Sequence, residues 1–240
     1  EDVEIGPFAV VEAGVTVGDR TVVGPFSRLT GDTTIGADNH FVSHGSVGAP
    51  PQDLKYDGEP TSLVIGDNNT FREFVTLHRG TPGGGGITRI GSNGLFMAYV
   101  HIAHDCRVGN HTVLINNVML AGHVTVEDRA YMAGGSAVQQ FRRVGRLAAV
   151  GGYGRAVKDV PPYVTLDGNA NGIVGLNLVG LRRAGYSRDE IQQLKDAYRL
   201  IYRSGLTWTR PSWAWPNAER SSYPANIVWS CWTKPTLQWH

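Results

Sequence analysis

The chain has 240 residues, 41% of them hydrophobic, and a formal net charge of +1. That length supports one large domain or two small ones around a buried core, and the near-zero charge argues against a nucleic-acid or membrane-surface partner. Two cysteines, Cys106 and Cys231, are too few for a disulfide framework, which points to a reducing, cytoplasmic setting, and no apolar run reaches the roughly 18 residues of a membrane span. The first residue is Glu1 and no signal peptide is visible, so the native start is expected upstream. Composition is uneven along the chain: 30 of the 31 glycines precede residue 186, whereas all six tryptophans lie in the last 33 residues.

From the first residues a bulky side chain recurs every six positions, at Ile5, Val11, Val17, Val23, Leu29, Ile35, Phe41 and Val47. The rhythm returns at Ile65, Phe71 and Leu77, and again from Ile90 through Phe96, Ile102, Val108, Leu114, Leu120 and onward to Ala156. Neither the 3.6-residue period of a helix nor the two-residue period of a strand gives this spacing. A short strand plus a tight corner does. Three such units close a triangular coil of about 18 residues, and stacked coils make a β-solenoid with one inward aliphatic residue per unit. Glycine and asparagine suit the corners, where φ turns positive. Two segments break the rhythm, residues 49–63 and the glycine-rich TPGGGGIT of residues 81–88; insertions in a solenoid emerge as loops at one edge and often build sites.

After Pro161-Pro162 the pattern changes. A helix is expected around residues 172–183. Ser187 and Glu190 then have the spacing of a capping box, followed by Ile191, Leu194, Tyr198, Ile201 and Tyr202 at helical spacing, with Gly205 as the stop. The chain therefore divides into a β-solenoid over 1–166, a C-terminal α-helical segment over 167–205, and an atypical tail over 206–240. Four prolines oppose a long helix in that tail, and its tryptophans would be an aggregation hazard if exposed. The tail reads as a coding sequence that has left its frame or run past a junction, with an aromatic partner-binding segment as the alternative.

Seven of the eight histidines lie in the solenoid. In His101-Ile102-Ala103-His104-Asp105 a carboxylate stands beside the second imidazole, the pairing that orients a general base. One coil of 18 residues places Gly122 directly on His104, with His123 next to it, so an accessible backbone N–H stands beside the base: the minimum for acyl transfer is one group to take a proton and one to hold an oxyanion. Cys106 reads as core, so direct transfer to an acceptor hydroxyl fits better than a covalent intermediate. Three imidazoles in neighbouring subunits could instead hold zinc, making a hexapeptide-repeat zinc hydratase of the γ carbonic anhydrase type the rival enzyme; a solenoid scaffold is the non-enzymatic rival.

Longer blocks carry a family resemblance: Gln52-Asp53-Leu54-Lys55-Tyr56 with Gly58-Glu59-Pro60-Thr61, Val75 to Thr81, His101 to Cys106, Leu120 to Val124, Asp159 to Val164, and Tyr198 to Gly205. Over residues 1–205 the chain resembles the UDP-N-acetylglucosamine O-acyltransferases of lipid A biosynthesis. That resemblance implies a left-handed parallel β-helix of hexapeptide repeats and a homotrimer with sites between subunits. It implies transfer of an (R)-3-hydroxyacyl chain from acyl carrier protein to the 3-hydroxyl of UDP-GlcNAc, with neither a resident cofactor nor a metal. His104 matches the family's general base, Asp105 its partner and Gly122 the oxyanion donor. Asp53, Lys55, His78, His101 and His123 match positions lining the sugar-nucleotide or pantetheine channel, and Gln140, Asn177 and Arg183 match positions near the nucleotide. Gly152 falls where bulk sets acyl length, and its small size implies a long chain. Another sugar-nucleotide N- or O-acyltransferase is the near alternative. The chain departs from the family at Gln139, a histidine in many members, and at Val179, acidic in some; about one N-terminal coil is expected to be missing.

Overall fold

The computed structural model describes residues 1–204. Gly205 and the tryptophan-rich tail, with the expectations attached to them, lie outside the described residues.

Short strands follow one another in rotation among three sheets of ten, eight and seven strands. Glu4–Ile5 lies in the first sheet, Val10–Val11 in the second and Val15–Val17 in the third; Val22–Val23 then returns to the first, parallel to Glu4–Ile5. Where no insertion intervenes, a strand residue pairs with the one 18 positions on, as in Val23↔Phe41, Phe96↔Leu114 and Ile102↔Leu120. The chain is thus a three-sided coil of parallel strands, as the period of six predicts, and the inter-strand hydrogen bonds run between coils. A strand two residues long is viable here because its neighbours above and below saturate it.

The period-six residues form the axis. Val23, Phe41, Phe71, Phe96, Leu114, Met132 and Val150 stack on the first side, all at most 1% exposed. Phe41, Phe71 and Phe96 lie nearly parallel, with ring centroids 4.7 Å apart at both steps, so the coil spacing and the aromatic stacking distance coincide. Ile5 and Val11 keep the register but stay 51% and 40% exposed, in a first coil that pairs on one side only.

The corners differ from one another. Between the first and second sheets the positive-φ position is held by Phe8, Phe26, His44, Phe74 and Tyr99, and these rings stack one on the next at 4.9–5.1 Å. A bulky residue in the left-handed region costs on the order of 1–2 kcal/mol, which stacking of about 0.5–1.5 kcal/mol per pair largely offsets. Between the third and first sheets the same position is polar in most coils, with Arg20, Asp38, Asn68, Asn93 and His111, and apolar at Leu147; Arg20 makes a bidentate pair with Asp38 at 2.7 Å. The corner between the second and third sheets carries His104, Asp105, Gly122 and His123.

The parallel coil ends at Val164–Leu166, which pairs with Ala149–Val150. The segment expected to be helical opens instead with a strand, Ile173–Leu176, antiparallel to Val164–Leu166. The expected helix over 172–183 is thus confined to α1, Leu178–Arg183: β-branched Ile173 and Val174 find an open sheet edge, and Asn177 then caps the helix through Gly180 N–H at 2.9 Å. α2, Arg188–Arg203, has the predicted reciprocal capping box between Ser187 and Glu190 and buries Ile191 and Leu194 against Leu147, Tyr163 and Leu181. No described helix is long and apolar enough to cross a membrane.

Candidate active site

Both breaks in rhythm occur at one corner. The 30-residue step from Val47 to Leu77 and the 25-residue step from Leu77 to Ile102 each extrude their surplus between the second and third sheets, after Ser46–Ala49 and after Thr76–His78. His104 and Asp105 form the same corner in the next coil, Gly122 and His123 in the one after, and Gln140 and Phe141 in the one after that. Sequence segments far apart are therefore stacked along one edge.

His104 and Asp105 are both buried, 7% and 6% exposed. His104 Nδ1 lies 2.7 Å from Asp105 Oδ2. The glycine-rich insertion wraps the carboxylate: Thr81 donates its backbone N–H to Oδ1 at 2.9 Å and its hydroxyl to Oδ2 at 2.7 Å. Thr88 Oγ1 accepts the Asp105 N–H at 2.8 Å. A Cβ on Gly84 would land on the carboxylate itself, so the insertion approaches this closely only as glycine. Asp105 sits at φ +61°, a strained conformation held by these bonds. A carboxylate so engaged suits an Nδ1–H donor, the tautomer of a neutral imidazole whose lone pair is on Nε2.

Gly122 lies where the 18-residue arithmetic puts it. The N–H of His123 donates to His104 O at 3.0 Å, and a Cβ on Gly122 would be 2.5 Å from His104 Cε1 and 2.6 Å from Nε2. The Gly122 N–H has no acceptor among the described residues. His123 packs edge-on to His104 at 5.1 Å, stacks on Phe141 at 4.5 Å and brings Nε2 to 3.6 Å from Asp105 Oδ2.

His78 and His101 form an edge-to-face pair at 5.3 Å. His101 Nδ1 is 2.8 Å from Thr76 Oγ1 and His78 Nδ1 is 2.7 Å from Pro50 O. Burial, followed by the neighbouring imidazoles of His78 and His104, holds His101 down at about 4. Burial likewise lowers His78, against its bond to Pro50. His78 Nε2 is buried without a partner. Cys106 is fully buried and its thiol donates to Ala121 O at 3.1 Å; burial pushes it up to about 12, which leaves a core residue and no nucleophile.

The other expected site residues separate within the chain. Asp53 closes a turn by accepting the Lys55 N–H at 3.0 Å, and Lys55 is exposed on the first insertion. Gln140 is exposed one rung beyond Gly122. Asn177 uses its side chain on Gly180 N and Leu147 O, and Arg183 is exposed at the end of α1. No hydrogen bond, ion pair or ring contact joins Asp53, Lys55, Gln140, Asn177 or Arg183 to the His104 group among the described residues. Gly152 is exposed at the corner between the first and second sheets, not at the histidine corner. Thr81, Thr88 and Gly84 escape sequence reasoning except as parts of an insertion; the two threonines flanking a glycine run are the signal.

His104, Asp105 and His123 bring ligand-type atoms within 4.8 Å of one another. Asp105 already accepts three hydrogen bonds, an arrangement that suits proton transfer better than the zinc set of the rival reading.

A coil of six-residue units with a hydrogen-bonded His–Asp pair at one corner has the build of a hexapeptide-repeat transferase. Residues 1–31 match the family model for bacterial transferase hexapeptide repeats, and residues 159–214 match domain 2 of UDP-N-acetylglucosamine O-acyltransferase. The acyl-[acyl-carrier-protein]–UDP-N-acetylglucosamine O-acyltransferase of Anaeromyxobacter dehalogenans is 51% identical, over 84% of this chain and 86% of its own. That of Verminephrobacter eiseniae is 52% identical, over 75% and 68%. Among solved structures, the UDP-N-acetylglucosamine O-acyltransferase of Moraxella catarrhalis superposes with a TM-score of 0.84 at 46% identity, covering 86% of this chain and 80% of that one. The Francisella novicida acyltransferase gives 0.83 at 37% identity, covering 87% and 79%. The chain belongs to the UDP-N-acetylglucosamine O-acyltransferase family.

Proposed function

We propose that the protein transfers an (R)-3-hydroxyacyl chain from acyl carrier protein to the 3-hydroxyl of UDP-GlcNAc, the first step of lipid A synthesis. The names of its relatives support the substrates. The observation that carries the chemistry is His104 held by a Thr81-braced Asp105 against Gly122.

Nε2 of His104 takes the proton of the sugar hydroxyl, and the oxygen attacks the thioester carbonyl. The tetrahedral oxyanion is held by the Gly122 N–H. The carbon–sulfur bond then breaks, and the imidazolium returns its proton to the departing thiolate, so His104 ends as it began. Asp105 stabilises the imidazolium between these steps. His78, His101 and His123 line the channel; Lys55 and Arg183 offer cations to the diphosphate, with Asp53, Gln140 and Asn177 on the sugar nucleotide.

The fuller arrangement rests on the family. The coil is left-handed, and three chains assemble so that the Asn177–Arg183 end and Gly152 of one approach the His104 corner of another. That explains why one chain keeps these residues apart. The setting is the cytoplasm. Gly152, with Ala148 and Ala149 nearby, leaves room for an acyl chain of about fourteen rather than ten carbons, a difference of about 3 kcal/mol in buried methylenes.

The test is acyl transfer by the purified protein, with UDP-GlcNAc and 3-hydroxyacyl carrier proteins of graded length as substrates. Transfer lost in His104→Ala and fastest with the longer donor supports the proposal; no transfer by folded wild-type protein overturns it.

A further inference from the structure

The first insertion presents Asp53 and Lys55 on a loop with little holding it. Within residues 51–60 the bonds are local: Lys55 N–H to Asp53 Oδ1, Tyr56 N–H to Asp53 O, Tyr56 hydroxyl to Glu59 O at 2.8 Å, and Asp57 N–H to Glu59 Oε2. Among the described residues, a single hydrogen bond joins this stretch to the rest of the protein: Arg79 Nη2 donates to the Tyr56 hydroxyl at 3.3 Å.

Arg79 is itself placed with care. Its backbone N–H bonds Ala49 O at 3.1 Å and the preceding His78 bonds Pro50 O at 2.7 Å, so the pair holds the root of the loop. Its side chain runs back across Gly31, where a Cβ would land on the guanidinium. Gly31 is at φ +66°, and no other residue leaves that path open. Arg79 Nε is buried without a partner, a cost accepted for this route.

We propose that Arg79, lying on Gly31 and bonded to Tyr56, is a positioning residue that fixes the Asp53–Lys55 turn for the sugar nucleotide. Arginine suits the role because its planar fork reaches a fixed point, which a lysine ammonium does not. The inference rests on the function proposed above, and its test has two readouts.

Tyr56→Phe removes the bond with the smallest change, Arg79→Lys keeps the charge without the fork, and Gly31→Ala displaces the guanidinium from two coils away. Each variant is assayed for KM and kcat with UDP-GlcNAc, for melting temperature, and for the rate at which trypsin cuts after Lys55. The expected result is a KM raised about tenfold, the size of one charge-assisted hydrogen bond, with kcat within about threefold. Cleavage at Lys55 should be faster by a similar factor, at an unchanged melting temperature in Tyr56→Phe and Arg79→Lys; in Gly31→Ala the left-handed backbone adds a loss of stability of its own. Wild-type KM and wild-type cleavage in Tyr56→Phe and Arg79→Lys overturn the proposal, as does a fall in kcat alone. If wild-type protein transfers no acyl chain, the functional reading fails, and trypsin cleavage alone decides whether Arg79 fixes the loop.

Discussion

His104 owes its chemistry to atoms supplied by neighbouring coils. Replacing it with alanine is expected to lower kcat by about 10²–10⁴-fold without a loss of helical or sheet signal, since its ring packs at the rim and not on the axis. Gly122→Ala tests the same contact from the other side: the new methyl would meet the imidazole at 2.5 Å, so kcat should fall while the urea midpoint moves little. His101 makes a pH prediction. Its folded-state value is lowered from 6.5 to about 4, so the unfolded chain binds the extra proton between those values. The stability it contributes is fully present above pH 6.5 and is lost as pH falls toward 4. Urea midpoints measured from pH 7 down to 4 should decline, and His101→Gln should flatten that decline. His101 is only partly buried, so solvent screening reduces the effect.

At the scale of elements, the glycine-rich insertion braces the Asp105 carboxylate beside His104. Gly84→Ala is expected to push the turn off the Asp105 carboxylate and to cut kcat at least tenfold, with a melting temperature lowered only by the Thr81–Asp105 bonds it breaks, because the atoms nearest an added Cβ all belong to Asp105. Phe71→Ala, between two stacked rings at 4.7 Å, should do the reverse: a loss of about 3–5 kcal/mol in denaturant unfolding with the remaining folded protein still active. These elements were unequally visible in the sequence. The axis was legible because one aliphatic residue every six fixes three sides at once, and the His104–Gly122 contact followed from the coil length alone. The Thr81 and Thr88 bonds were not, because they depend on the path of a loop off the repeat. The aromatic corner of Phe8, Phe26, Phe74 and Tyr99 was hidden by the expectation of glycine or asparagine at positive φ; stacking between coils outweighs that local preference. Ile173–Leu176 was assigned to a helix because nothing local to it shows the open sheet edge at Val164–Leu166.

For the whole molecule, the three sides are chemically distinct and each coil repeats them. An inserted or deleted block therefore acts by its length before its composition. A change of 18 residues slides a corner residue one rung along the axis and leaves it among the same neighbours. A change of six leaves the aliphatic rhythm unbroken yet turns everything beyond it by a third of a revolution. Removing Val113 to Val118 should thus preserve a melting transition while carrying Gly122 and His123 off the His104 edge. A change of any other length keeps the register only if its surplus leaves the coil at a corner, as residues 49–63 and 81–88 do. Both leave at the same corner, so the length that does not fit a whole turn is gathered along one edge.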